Sequence, residues 1–299
     1  MAIAFDVLKD NHYPHVLDKD FEPYKAFRMA HEMQIFTHGD MTLKYFDIGE
    51  GPILLCLPGS TGKALTFYPF VEALSTSYRM IMIDYPEAEG LTALTLKIMN
   101  FMREMAFEPA YIFANSFGTV IAQNLMIKMP TQIAGVVLAH GVTKTDQVPS
   151  KIIKYHQKGL KSFMKSIKFL NFGRFQKKFA KQLRKNVNLY NDDTSRRLFW
   201  EGLYQEMLFD TTKTEMLSNY GFMKDFWENS VFEPGQFDLE DTKIIIIESY
   251  DEHELNKPEK LGLRSLFKHA DYEVLSGDGH MSMVKNNEKI SEYVHQLNH

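Results

Sequence analysis

Runs of consecutive apolar residues alternate with amphipathic segments along the first half of the chain. Four runs are short enough for strands buried on both faces: PILLCLPG, YRMIMIDYP, AYIFA and AGVVLAH, which begin at residues 52, 78, 110 and 134. Helical spacing of apolar residues separates them over 64–75, over 92–105 and from Ser116 to about Met129. This alternation predicts βαβ units and a mostly parallel sheet with helices on both faces.

The pattern changes at three places. The stretch MQIFTHGDMTLKYFDIG, from residue 33, predicts a β-hairpin around a Gly-Asp turn. Residues 143–229 show consecutive helical patterns without strands and predict an inserted helical cap. Two apolar runs, in TKIIIIESYDE and DYEVLSGDGHMS, then restore the alternation. We therefore predict a core of residues 1–142 and 230–299, in which residues 1–31 form an extension of unknown role.

The stretch YIFANSFGTVIAQ predicts a strand, a sharp turn at Ser116 and a helix. A turn this tight raises its central side chain above the sheet and tolerates only small residues two positions before and after it. The helix that follows directs free N–H groups and its positive end toward the same point. Ser116 is therefore a candidate nucleophile, the alternative being a small polar residue that merely fits the turn.

A serine nucleophile needs a base and an acid that orients the base. His280 follows the last predicted strand in a glycine-flanked loop, and Asp251 follows the strand before it. Backbone N–H groups of Ser60 and Phe117 are candidate donors to an oxyanion. Asp146 and Glu248 remain alternative acids. The neighbouring residues that we expect to contact substrate are Gly59, Thr61, Asn115 and Met281.

Five motifs in this order resemble the α/β-hydrolase superfamily: LPGSTG for its oxyanion loop, IDYP for a strand end, ANSFG for its nucleophile elbow, ESYDE for its acid loop and GDGHMS for its histidine loop. The resemblance covers about residues 33–299 and implies an α/β-hydrolase fold with a helical cap. It also implies a cofactor-free serine hydrolase of carboxylic esters or thioesters that acts through the triad Ser116, Asp251 and His280.

Two other functions stay open. The segment DYPEAEGLTAL and the elbow after it are similar to maspardin, a member of this superfamily that is regarded as a binding protein. The same fold could therefore serve partner binding without catalysis. A C–C hydrolase or lyase could also use the same three residues.

The segment 151–185 contains twelve Lys or Arg residues and no acidic residue. Its first six lysines step by three and four and share one face of a predicted amphipathic helix, with apolar residues opposite. The simpler interpretation is a cap helix whose lysines face water. The alternative is a weak contact with an anionic membrane surface or an anionic carrier. Nine aromatic residues of the cap could line an apolar acyl or aryl pocket, although core packing explains most of them equally well: Phe163, Phe169, Phe172, Phe175, Phe179, Phe199, Trp200, Phe222 and Trp227.

Composition and charge limit the classes of ligand and the cellular location that we expect. A net charge of −4 argues against nucleic-acid binding over the whole surface, and no zinc-type ligand spacing occurs, so we expect a small-molecule substrate and no metal. The single cysteine, Cys56, lies in an apolar run, where we expect it to be buried, and it fits a reducing compartment. The absence of a leader-like or membrane-spanning apolar stretch predicts a cytoplasmic protein.

Overall fold

The computed structural model describes residues 4–189, 194–237, 239, 242–251, 255, 257–276 and 279–298, without the side chains of 186, 188, 189, 281, 282 and 284. Its sheet contains β1 Gln34–His38, β2 Met41–Ile48, β3 Ile53–Leu57, β4 Arg79–Ile83, β5 Ala110–Asn115, β6 Ile133–Ala139, β7 Lys243–Ser249 and β8 Asp271–Leu275. The strand order is β1-β2-β4-β3-β5-β6-β7-β8. Strands β1 and β2 form the predicted hairpin, β2 pairs antiparallel with β4, and the other pairs are parallel. The mostly parallel sheet is thus confirmed.

The α-helices of the described residues are α1 Phe5–His12, α2 Asp18–Ala30, α3 Val71–Leu74, α4 Leu91–Glu104, α5 Gly118–Lys128, α6 Ser150–Phe169, α7 Phe172–Leu189, α8 Thr194–Asp210, α9 Lys213–Asn229, α10 Lys257–Leu266, α11 Ser282–Lys285 and α12 Asn287–His295. Within this part of the chain, no helix combines the length and the apolar character needed to cross a bilayer. The expected helix over 64–75 differs: Ala64–Phe70 is a 3-10 helix that contains Pro69, and only Val71–Leu74 is α-helical. Proline lacks the N–H that an α-helix needs at that point.

The apolar runs become strands because both of their faces are covered. In β3, Leu55 and Leu57 pack into one core layer, whereas Leu54 and Cys56 pack into the layer on the other face of the sheet. Side chains that alternate in this way bury the whole run. Cys56 is fully buried, as its sequence context predicts, and this burial raises the pKa of its thiol.

Helices α6–α9 occupy the stretch between β6 and β7 in which the sequence predicts a cap. Since β6 and β7 are neighbours in the sheet, the chain leaves and re-enters the sheet at adjacent strands. The predicted amphipathic helix is α6: its Leu160 and Ile167 are buried, and its lysines are exposed.

Helices α1 and α2, over residues 5–12 and 18–30, pack against the cap helix α8. The buried carboxylate of Glu206 in α8 accepts hydrogen bonds from Tyr13 (2.6 Å) and Tyr24 (2.9 Å) and pairs with Arg28 (2.5 Å). Gly202 of α8 lies very close to Tyr13, the residue after α1: a Cβ atom on Gly202 would lie 2.3 Å from the Tyr13 ring. The N-terminal segment therefore anchors the cap.

Candidate active site

Ser116 occupies a strained turn between β5 and α5. Its φ angle is +52°, in the left-handed region that non-glycine residues rarely adopt. Its N–H donates to the carbonyl of Ala139 at the end of β6 (2.9 Å), and its carbonyl accepts from the N–H of Thr119 (3.0 Å). These bonds hold the strained backbone in place, and strain of this kind concentrates at functional sites.

Close backbone packing explains the small residues around this turn. A Cβ atom on Gly118 would lie 2.2 Å from the carbonyl oxygen of Leu57, so only glycine fits there. A Cβ atom on Gly59 would lie 3.2 Å from the Cβ of Ser116. The loop after β3 therefore lies directly beside the serine.

The structure brings Ser116 and His280 together. Ser116 Oγ lies 2.8 Å from His280 Nε2, a hydrogen-bond distance suited to proton transfer. Asp251 lies two residues beyond β7, and its Oδ1 accepts a hydrogen bond from the N–H of Gly279 (3.1 Å). The acid loop and the histidine loop thus meet one residue before His280.

The two alternative acids lie elsewhere. Glu248 is nearly buried within β7 and forms a two-point ion pair with Arg264 of α10, at 2.6 and 3.3 Å. Asp146 is exposed in the loop after β6. Of the three candidate carboxylates, Asp251 is the one that contacts the described residues of the histidine loop.

Ser60 and Phe117, the predicted oxyanion donors, both line the cavity that contains Ser116. Within the described residues, neither backbone N–H donates a hydrogen bond to the protein. Phe117 directly precedes α5, so its N–H belongs to the free N–H groups of a helix start. Two available N–H groups beside a serine can stabilise a developing negative charge.

The loop that carries Ser60 is held by the end of β4. Tyr85 donates its backbone N–H to Gly62 O (2.9 Å) and its hydroxyl to Pro58 O. The Asp84 carboxylate accepts from the N–H of Ala64 (2.8 Å) and pairs with the buried Lys63 ammonium (3.1 Å). Burial disfavours the charged ammonium, but the nearby carboxylates outweigh it and raise the pKa of Lys63.

The cap helix α9 holds the same loop from above. Glu215 caps the start of α9 together with Thr212 and also pairs with Lys63 (3.4 Å). One turn later, Asn219 Nδ2 donates to the carbonyl of Thr61 (3.1 Å). Gly62 has a φ angle of +63°, and a Cβ atom there would lie 2.4 Å from Asn219. The geometry of the Ser60 loop therefore depends on the cap.

A cavity of about 350 Å³ opens above Ser116, between the sheet and helices α6, α7 and α9. The predicted substrate contacts Gly59, Thr61 and Asn115 line it, whereas the side chain of Met281 lies outside the described part of the structure. Of the cap aromatics expected as walls, Phe179 and Trp227 line this cavity, and Phe169 is exposed to solvent.

Three polar residues of this region were not predicted from the sequence. The ring of His156 in α6 stacks on Trp227 (centroids 4.1 Å apart), and its Nε2 lies 3.1 Å from Oε1 of Glu259, whose carboxylate is fully buried. His156 and Glu259 both line the cavity. His140 is buried beyond β6, with its ring 5.4 Å from that of His280. The positive φ of His140 (+51°) has no local sequence signal, and the His156–Glu259 pair joins helices far apart in the chain. Among the described residues, no three metal-ligating side chains cluster as a metal site.

Comparison with known proteins gives limited sequence similarity. No protein-family model matches the sequence. A hydrolase of (E)-2-((N-methylformamido)methylene)succinate from Acinetobacter baylyi is 25% identical over 130 residues, which are 40% of this chain and 49% of that protein. The match thus spans about half the length of this curated relative.

Solved structures match most of the chain. A candidate lipase from Acinetobacter baumannii AYE has a TM-score of 0.71 at 16% identity, over 100% of this chain and 98% of its own. The enol-lactonase of Burkholderia xenovorans LB400 has a TM-score of 0.69 at 15% identity, over 88% and 99%. The 2-hydroxy-6-oxo-6-phenylhexa-2,4-dienoate hydrolase of Rhodococcus sp. RHA1 has a TM-score of 0.65 at 13% identity, over 89% and 98%. The sheet order, the elbow at Ser116 and these likenesses together establish that the chain has the α/β-hydrolase fold.

Proposed function

We propose that this protein is a serine hydrolase that cleaves an uncharged carboxylic ester or thioester with an apolar acyl or aryl group. The observation that carries the proposal is the 2.8 Å separation of Ser116 Oγ and His280 Nε2 inside a cavity. The strained serine turn supports it, because a serine that only fitted the turn would need neither a histidine partner nor a cavity.

In the proposed mechanism, Ser116 Oγ attacks the carbonyl carbon while His280 Nε2 accepts its proton. The N–H groups of Ser60 and Phe117 bind the oxyanion of the tetrahedral intermediate. His280 then gives the proton to the departing alcohol or thiol, and an acyl-enzyme remains on Ser116. A water molecule, deprotonated by His280, attacks the acyl carbon, the carboxylic acid departs, and His280 returns the proton to Ser116 Oγ. Asp251 holds the histidine loop and orients the imidazole.

The lining of the cavity supports an uncharged substrate. The described lining residues include Phe179, Leu183, Met223 and Trp227 and no lysine or arginine that could pair with a carboxylate. The A. baylyi relative, by contrast, is named for a succinate, which carries two carboxylates. A lactone is a cyclic ester, so the enol-lactonase likeness is in keeping with ester cleavage.

The first test is labelling by a fluorophosphonate probe, which reacts with activated serines. We expect wild type and the exposed-serine control Ser162→Ala to be labelled, and Ser116→Ala and His280→Ala to lose labelling. Folding of each variant is checked by circular dichroism. A well-folded wild type that remains unlabelled would contradict the proposal and favour the maspardin-like alternative of partner binding without catalysis.

A matched pair of substrates tests the substrate class. We expect hydrolysis of p-nitrophenyl butyrate to exceed that of the p-nitrophenyl hemisuccinate, whose added carboxylate would enter a cavity without a cationic partner. Labelling without turnover of any ester or thioester would favour cleavage of a C–C bond, an alternative that the likeness to the 2-hydroxy-6-oxo-6-phenylhexa-2,4-dienoate hydrolase keeps in view.

A further inference from the structure

The hairpin of helices α6 and α7 has a strongly basic outer surface. All twelve Lys and Arg residues of the segment 151–185 are exposed, and the segment contains no acidic residue. Among the described residues, only Lys161 and Arg184 form ion pairs, with Glu228 and Glu201. The whole chain has a net charge of −4, so this cationic surface is a local feature and not a property of the whole molecule.

The last residue of α6 and the first residue of the turn after it expose two large apolar side chains. Phe169 is 78% exposed and Leu170 is 51% exposed. Within the described structure, this is the one place where two consecutive large apolar residues are both exposed. Lys165 and Lys168 precede the turn, and Arg174 and Lys177 follow it. An apolar tip between cations is not explained by solubility, for which the lysines alone would suffice.

We propose that the α6–α7 hairpin docks on an anionic lipid bilayer. The cations match the negative charge of the lipid head groups, and the tip residues match the apolar zone just below the head groups. A soluble anionic partner would use the cations but would leave Phe169 and Leu170 in water. The combination therefore favours a lipid surface over an acidic protein or a nucleic acid.

Docking through the hairpin would place the membrane surface close to the cavity. The inner faces of the same two helices contribute His156, Phe179 and Leu183 to the cavity lining. One face of the hairpin therefore covers the cavity, and the opposite face carries the basic surface. The idea that an apolar ester passes from the bilayer into the cavity rests on the proposed function. The docking does not depend on that function.

The experiment is co-sedimentation of the 299-residue chain with vesicles of phosphatidylcholine alone or mixed with phosphatidylglycerol. We expect binding to the mixed vesicles at about 0.01 M salt and its loss at about 1 M salt, where screening shortens the Debye length from about 30 Å to about 3 Å. Lys165→Glu/Lys168→Glu should lower the partition coefficient at least roughly tenfold. Phe169→Ser/Leu170→Ser should weaken binding at both low and moderate salt.

Matched controls separate docking from general effects. Lys128→Glu/Lys268→Glu changes the net charge equally at exposed positions outside the cap, and Ile35→Ser removes an apolar side chain that is 66% exposed on β1. Both should bind like wild type. Equal losses in the control variants would overturn the proposal.

Two further outcomes would also overturn docking. The first is no binding to mixed vesicles at low salt. The second is binding to a soluble acyl carrier protein without binding to vesicles, which would assign the basic surface to an anionic carrier. Fluorophosphonate labelling of the same samples keeps the two proposals apart: labelling without vesicle binding rejects docking alone, and binding without labelling rejects the hydrolase alone.

Discussion

Asp251 is set apart from the other candidate acids by one contact, its hydrogen bond from the N–H of Gly279. Glu248 is engaged by Arg264, and Asp146 faces solvent. In the sequence, each of the three acids lies at or just after the end of an apolar run that predicts a strand. Their different surroundings arise only when the strands and α10 pack together.

These different surroundings predict different effects when each of the three acids is replaced by its amide. We expect Asp251→Asn to lower kcat for a p-nitrophenyl ester by about 10³–10⁴-fold, because the imidazole loses its orienting acid. Glu248→Gln should lower the free energy of unfolding through loss of its ion pair but leave kcat nearly unchanged, and Asp146→Asn should change neither. A large loss of kcat in Glu248→Gln would instead assign the acid role to that residue.

Gly118 carries a separate prediction on stability. We expect Gly118→Ala to lower the free energy of unfolding by about 1–3 kcal/mol, because the new methyl group would overlap the Leu57 carbonyl. Gly159→Ala is the control: nothing lies within 4 Å of a Cβ there, in the interior of α6. That variant should gain about 0.5–1 kcal/mol of helix stability. Urea denaturation measures both values, and equal effects would contradict this account.

The sequence could predict residues of the site whose position follows from their own strand. Ser116 and His280 each follow an apolar run, Ser116 lies two residues before Gly118 and His280 directly follows Gly279, and the structure brings the two side chains together. Asn219 and Glu259 lie in helices, where local periodicity does not reveal what a helix will face. Their contacts with the Ser60 loop and with His156 depend on how the cap packs, which no local pattern encodes.

Among the elements, α9 has the most direct effect on the proposed chemistry, because Asn219 holds the Ser60 loop. We expect Asn219→Ala to lower kcat roughly tenfold, less than the 10²–10³ that loss of a whole oxyanion donor costs, with KM little changed. Asn229→Ala, at the exposed end of the same helix, should leave both constants unchanged. A change in KM alone would indicate that Asn219 shapes the cavity and does not position the loop.

Strands were more predictable than helices for a physical reason. A run such as IIII in β7 is buried on both faces by the sheet itself, so its pattern is complete within a few residues. In helix α2 the buried residues Phe21, Tyr24 and Phe27 share one face, but Pro23 interrupts the pattern, and a proline argues against the interior of a helix. No element is therefore predicted over this extension, although α1 and α2 form there.

At the scale of the whole molecule, the N-terminal helices and the cap share the buried carboxylate of Glu206. For Tyr24, burial and then the negative charge of Glu206 raise the pKa well above its ordinary value of about 10. The same holds for Tyr13, where burial comes first and Tyr24 and Glu206 add to it. Both hydroxyls therefore keep their protons in the folded state at a pH where the unfolded chain has lost them.

This shift predicts alkaline instability. The contribution of each tyrosine is fully present below about pH 10 and is lost as the pH rises from there toward the folded-state pKa, by about 1.4 kcal/mol per pH unit. We expect Tyr24→Phe to make the fall of unfolding free energy above pH 10 shallower, and the exposed Tyr155→Phe to leave it unchanged. Urea denaturation across this pH range gives the slope, and identical slopes for the two variants would refute the prediction.

The anchoring of α8 by α1 and α2 has a consequence for engineering. Since β6 and β7 are adjacent, the cap looks like a block that could be exchanged for the cap of another hydrolase by two cuts in the chain. However, Glu206 and Gly202 match the shapes and charges of Tyr13 and Arg28, which lie almost two hundred residues away. A chimera that transplants only the cap would separate these partners. The transferable unit is therefore discontinuous, and the first thirty residues must travel with the cap.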